Sequence, residues 1–105
     1  MKEELKSKWL AALRSGKYEQ GIRFLKVGNT FCCLGVLCEV DTDVIASDNH
    51  YNYKKEMHST LNEEYISSRG ILRSQTMDLM FMNDEDQMSF EHIADWIETN
   101  VEVTV

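Results

Sequence analysis

The sequence predicts an α+β fold, with three to four short helices packed on a small antiparallel sheet in one domain spanning residues 1–105. Three observations predict it. Apolar residues recur at spacings of three and four in "KEELKSKWLAALRSG" and again in "MSFEHIADWIETN", the period of an amphipathic helix. Between those stretches, "GIRFLKVGNTF" alternates in character and carries a Gly28-Asn29 turn dipeptide, the mark of a hairpin. The chain has 105 residues, 43% hydrophobic and 28% charged, which is the size and composition of one folded soluble domain with a modest core.

The first helix places Leu5, Trp9, Leu10, Ala12 and Leu13 on one stripe. Glu3 and Glu4 in its first turn and Arg14 in its last suit the helix dipole, and Gly16 follows as a left-handed stop. The hairpin runs into a second arm at Thr30–Cys32. "CCLGVLCEV" is apolar at nearly every position, so period cannot separate strand from helix; a short helix from about Cys33 to Val40 is the better fit. Gly35 within it allows a neighbouring element to come close. "SDNHYNYKKEMHSTLNEEY" is polar and turn-rich and reads as a loop or a ragged two-stranded insertion. "ILRSQTMDLMFMND" suggests a helix capped by Ser74 and ended by Asn83, with Met77, Met80 and Phe81 turned inward. The last helix begins at the N-cap Ser89 and buries Phe90, Ile93, Trp96 and Ile97; "VEVTV" after it forms a terminal strand or frays. The expected core is Trp9, Leu13, Phe24, Leu34, Leu37, Met80, Phe81, Ile93, Trp96 and Ile97.

Charge excludes some functions. The net charge is −7, but residues 1–27 hold seven Lys/Arg against three acids, and residues 28–105 hold four against fifteen. An acidic body disfavours non-specific nucleic-acid binding. No apolar run reaches the length of a membrane span, and "MKEELKSKW" lacks the apolar centre of a signal peptide, so no membrane partner is expected. Three clustered cysteines, an odd number, fit a reducing cytoplasm better than a disulfide scaffold.

Those thiols, Cys32, Cys33 and Cys38, lack the paired spacing of a structural zinc site, and His50, His58 and His92 are scattered along the chain. No metal and no other cofactor is expected. A nucleophilic cysteine needs a basic partner or a helix N-terminus to lower its pKa, and the sequence names no such partner. Flanked by Phe31, Leu34, Val36 and Leu37, the three read as core filling, and no catalytic residue is assigned.

"RSGKYEQGIR" is more suggestive of binding. Arg14, Lys17, Tyr18, Gln20 and Arg23 gather at a helix end, a turn and a strand start. Arginine grips phosphate or carboxylate with two bonds, and tyrosine adds a stacking face and a hydroxyl. There is no Walker loop, no G-x-G-x-x-G and no H-E-x-x-H. "NDEDQ" lacks the glycine and distal glutamate of an EF-hand loop.

Together, "KWLAALRSGKYEQG", "FCCLGVLCEV" and "MSFEHIADWIETN" resemble a group of short bacteriophage proteins. Those proteins share W-x2-A-L-x-S-G-x-Y-x-Q, F-C-C-L-G-V-L-C and S-F-x-x-I-A-D-x-I-E motifs. The likeness covers about half the chain and leaves residues 42–75 unmatched. It transfers no activity and no site residue. It implies a phage accessory protein acting in the cytoplasm of an infected bacterium by binding a host molecule. The expected function is therefore sequestration of a small anionic ligand, such as a nucleotide signal of host defence, at the basic turn. A homo-oligomer could complete so small a pocket between subunits. The alternative is an acidic inhibitor that docks on a host protein, competing with nucleic acid; a thiol-dependent enzyme is the third option.

Overall fold

A computed structural model describes residues 1–104. The fold is α+β, with five helices and two small sheets among the described residues rather than three to four helices on one antiparallel sheet. The elements are α1 (Glu3–Arg14), β1 (Glu19–Gln20), β2 (Lys26–Val27), β3 (Thr30–Phe31), α2 (Cys33–Val40), β4 (Ile45–Ala46), β5 (Tyr51–Tyr53), β6 (Lys55–Met57), α3 (Glu63–Arg69), α4 (Arg73–Asp84) and α5 (Phe90–Asn100).

The first sheet has the order β1-β3-β2. The hairpin forms as expected, with Lys26 opposite Phe31 and Val27 opposite Thr30 across Gly28-Asn29. However, β1 adds to β3 in parallel, Glu19 beside Thr30 and Gln20 beside Phe31, so this sheet is mixed. A two-residue strand carries no alternation that could have revealed it. The second sheet, β4-β5-β6, is antiparallel. Its β5 and β6 fall in the segment expected to be a loop or a ragged two-stranded insertion, and β4 lies just before it. The fifth helix, α3, starts at the end of that segment and runs past it to Arg69. Asn62 caps it by accepting from the Tyr65 amide at 2.8 Å, Glu63 and Glu64 fill its first turn, and Gly70 ends it at φ 70°.

The core centres on α2, in which Cys33 through Cys38 are all buried. Such a helix is apolar all round because neighbours cover every side. Trp9 and Leu13 of α1, Leu79 and Met82 of α4, and Ile93 and Ile97 of α5 join it in one cluster. Trp9 is fully buried, and its indole Nε1 donates to the Cys33 carbonyl at 2.9 Å. Residues 24–25 pass so close to α2 that a Cβ built on Gly35 would lie 1.8 Å from the Leu25 carbonyl oxygen. That oxygen also accepts from the Cys32 amide at 3.2 Å, and the Leu25 amide donates to the His58 carbonyl at 2.7 Å. One residue thus ties α2 to the second sheet.

Several expected core residues face elsewhere. Phe24 and Phe81 are 49% and 57% exposed, and Met77 also faces outward. Met80 and Trp96 are half-buried against the core. The α4 helix is turned so that Thr76, Leu79, Met82 and Asn83 go inward, and it begins after Leu72 rather than Ser74. The Leu72 amide donates to the Gln75 side chain at 3.0 Å, which stands in for a serine cap. The α5 helix starts as expected, its His92 amide donating to Ser89 Oγ at 3.3 Å. After it, the Thr104 amide donates to the Met1 carbonyl at 2.8 Å.

Replacing Gly35 with alanine drives a methyl group into backbone that cannot move without breaking two hydrogen bonds. The expected cost is about 3 kcal/mol or more, a fall in melting temperature beyond about 10 °C, measured by thermal and denaturant unfolding.

Candidate functional site

The basic turn does not present its groups freely. Arg14 Nη2 donates to Asp95 and Glu98 of α5, each at 2.8 Å, and these bonds raise its pKa further. Gln20 Nε2 donates to Asn83 Oδ1 at 2.9 Å and to the Met88 carbonyl at 2.7 Å. Tyr18 packs edge-on against Phe31, ring centroids 5.2 Å apart. Lys17 is exposed, as is Arg23, which takes a left-handed backbone at φ 73°. Arg14 and Gln20 therefore fasten this segment to α5 and α4.

Asn83, expected only as a helix stop, is the hub of that fastening. Fully buried, its Oδ1 accepts from Gln20 and from the Cys33 amide, and its Nδ2 donates to the Gly21 carbonyl and to Asp84. Every hydrogen-bonding position of the side chain is used.

The thiols are buried and unpaired by disulfide. Cys32 caps α2, its sulfur accepting from the Gly35 amide at 3.4 Å, and Cys33 Sγ donates to the Leu79 carbonyl at 3.6 Å. Burial pushes the Cys32 pKa up to about 11 and lifts those of Cys33 and Cys38 well above the usual thiol value. All three are held as neutral thiols at pH 7.

Two arrangements that the sequence did not reveal hold more accessible chemistry. One is a groove of about 410 Å³ between the start of α1, the loop after α2 and the end of α3. Its floor is Asp41, 6% exposed, gripped by Arg69. Arg69 Nε donates to Asp41 Oδ2 at 2.6 Å and Nη2 to Oδ1 at 3.2 Å; Tyr65 Oη adds a bond to Oδ2 at 2.7 Å. The guanidinium also reaches Asp43 at 3.0 Å and lies over the rings of Tyr53 and Tyr65. Burial alone would raise the Asp41 pKa, but the bonds from Arg69 and Tyr65 outweigh it and leave it lowered. Around this neutralised pair, Lys2, Glu4 and Lys8 line one wall, and Thr42, Asp43 and Ser67 line others.

The other arrangement is on the second sheet. Tyr51 pairs with Met57 across β5 and β6, both buried, so the alternate residues point outward. This sets His50 and His58 side by side, rings stacked with centroids 5.0 Å apart. Glu56 Oε1 lies 3.1 Å from His58 Nε2 and 3.9 Å from His50 Nε2. Histidines eight positions apart are thus neighbours. The signal was present in "HYNYKKEMH", which is nearly symmetric about the turn at Lys54.

Residues 1–69 match a family model described as a domain of unknown function, DUF8296. The chain belongs to this family. The match runs from α1 through both sheets to the end of α3, and so includes the Asp41–Arg69 pair and the outward histidines. No curated protein and no solved structure matches the chain. No helix among the described residues is long and apolar enough to cross a membrane.

Two outcomes are expected from these geometries. In the native protein, a thiol reagent at pH 7 should modify the cysteines at least about a hundredfold more slowly than in denaturant, where all three react, as measured by absorbance of the released chromophore. Arg69→Ala should cost about 3–5 kcal/mol at pH 7 by leaving Asp41 charged and unpaired. The sign with pH follows from Asp41. Its lowered pKa stabilises the parent above about pH 4, and that contribution fades as pH falls through the folded value. In the variant, burial without the guanidinium, with only Tyr65 and the Asp43 amide left, moves the Asp41 pKa upward, so protonation relieves it. Denaturant titrations should therefore show the gap between the two proteins narrowing in acid.

Proposed function

We propose that this chain is a small binding domain of the phage-accessory kind its motifs resemble, and that it holds a small hydroxyl-bearing molecule with an anionic group in the α1–α3 groove. The observation that carries this reading is the Asp41–Arg69 floor: a rigid, mutually neutralised pair beneath a groove of about 410 Å³, within the size range of small-molecule sites. With the floor neutral, the rim selects the ligand. Lys2 and Lys8 offer ammonium groups to a phosphate or carboxylate, and Thr42 and Ser67 offer hydroxyls to sugar-like groups, beside the Asp43 carboxylate that Arg69 holds. Lys8 has only an exposed partner, Glu4 at 3.5 Å, a pair weak enough to be exchanged for a ligand. A nucleotide signal remains a member of this chemical class. The groove is favoured over the basic turn because Arg14 is answered by Asp95 and Glu98, and Gln20 by Asn83 and the Met88 carbonyl.

Isothermal titration against mononucleotides, sugar phosphates and neutral sugars tests the reading. A phosphate-bearing member should bind, and Lys2→Ala and Lys8→Ala should each weaken it about tenfold or more, the loss of one charge-assisted contact. Arg14→Ala and Arg23→Ala should leave it unchanged. Failure of every compound, or a dependence on Arg14 and Arg23 in place of the two lysines, would overturn it.

A further inference from the structure

We propose that His50, Glu56 and His58 form a binding site for a late first-row divalent cation such as Zn²⁺ or Cu²⁺. The site is separate from the groove and does not depend on the reading given to it. The three candidate ligand atoms all lie within 4.8 Å of one another. Ligands at about 2.0–2.1 Å from a tetrahedral ion stand about 3.4 Å apart. The two Nε2–Oε1 separations, 3.1 and 3.9 Å, straddle that figure. The Glu56 side chain is 60% exposed, so a rotamer adjustment can centre its carboxylate between the rings.

The backbone beneath the site is fixed from both sides. The His50 carbonyl accepts from the Ser47 amide at 2.9 Å, and the His58 carbonyl accepts from the Leu25 amide at 2.7 Å. Between them, Tyr51 and Met57 anchor the register, because a slip of one residue would turn both buried side chains outward. The Gly28 amide donates to the Asn49 side chain at 3.2 Å, tying the start of the hairpin to the first sheet. The backbone that carries the two imidazoles is therefore held in place before any ion arrives, and the rings, stacked at 30° and with the His58 side chain 54% exposed, turn to aim their nitrogens at it.

The donor set decides which ion. Two neutral imidazoles and one carboxylate suit zinc, copper and nickel, whereas magnesium and calcium prefer all-oxygen shells. Three protein ligands on an exposed face leave a fourth position for water or an anionic oxygen from a ligand. Bound there, the ion would clip the residue before β5 to Glu56 of β6 and to the residue after that strand.

Titration of the metal-free protein with Zn²⁺, Cu²⁺ and Mg²⁺ as chloride salts tests the site, read by calorimetry and by melting temperature. One equivalent of Zn²⁺ or Cu²⁺ should bind and raise the melting temperature, and Mg²⁺ should do neither. His50→Ala, His58→Ala and Glu56→Gln should each weaken binding by more than about tenfold. His92→Ala, which removes the histidine outside the cluster, should leave it intact. The His50 and His58 variants should keep the metal-free circular dichroism spectrum of the parent, so that loss of binding is not loss of fold. Absence of uptake by the parent, or uptake that persists in the double variant His50→Ala/His58→Ala, would overturn the proposal.

Discussion

The structure depends on one close approach: Gly35 of α2 lies against the carbonyl of Leu25. Without a side chain at that position, the backbone just before β2 meets the helix backbone directly, and Leu25 can be fully buried beside α2. Through the same residue the chain reaches the His58 carbonyl, so the central helix, the first sheet's hairpin and the second sheet share one point of contact. Backbone packed on backbone leaves little slack, because peptide groups cannot change rotamer. The thiols then follow from geometry. Beside a glycine in tight contact, cysteine offers a small apolar group that fills space without demanding more room.

Polar groups buried around that centre are satisfied as sets. Asn83 completes four bonds among α4, the strand region and α2, and Asp41 receives Arg69, Tyr65 and the Asp43 amide. No buried side-chain nitrogen or oxygen among the described residues lacks a partner. Such sets fix one arrangement of elements, since removing one member strands the others. Distant partners also engage two polar groups of the basic turn. Arg14 and Gln20 look available in a string of polar residues, but each is committed to a partner more than sixty positions away.

The parts legible in the sequence were those with local signals. The period of α1, the cap at Ser89, the Gly28-Asn29 turn and the Cys33–Val40 helix needed only neighbours in the chain. The α3 helix has seven residues, and only Tyr65 and Ile66 are buried, too few for a repeat of the helical period. Its ends were nevertheless written in Asn62 and Gly70. In α4 the i, i+3, i+4 spacing of Met77, Met80 and Phe81 predicts an inward stripe, but Thr76, Leu79, Met82 and Asn83 take the buried side, and Met77 and Phe81 take the water. The groove left no local signal, and the histidine pair left only the near-symmetry of "HYNYKKEMH". Each is assembled from elements whose pairing had to be known first.

The α4–α5 pair lies beyond the span shared with the family model, yet it is no appendage. Asn83 holds the first amide of α2, Leu79 receives the Cys33 thiol, and Lys6 of α1 donates to the Glu98 and Val101 carbonyls at the end of α5. Truncation after Arg69 would strip Leu79, Met82, Ile93 and Ile97 from the cluster that surrounds the cysteine helix. In this chain the matched stretch is thus closed by groups from outside it: the Asn83 carboxamide on the first amide of α2, and Ile93 and Ile97 in the cluster around that helix.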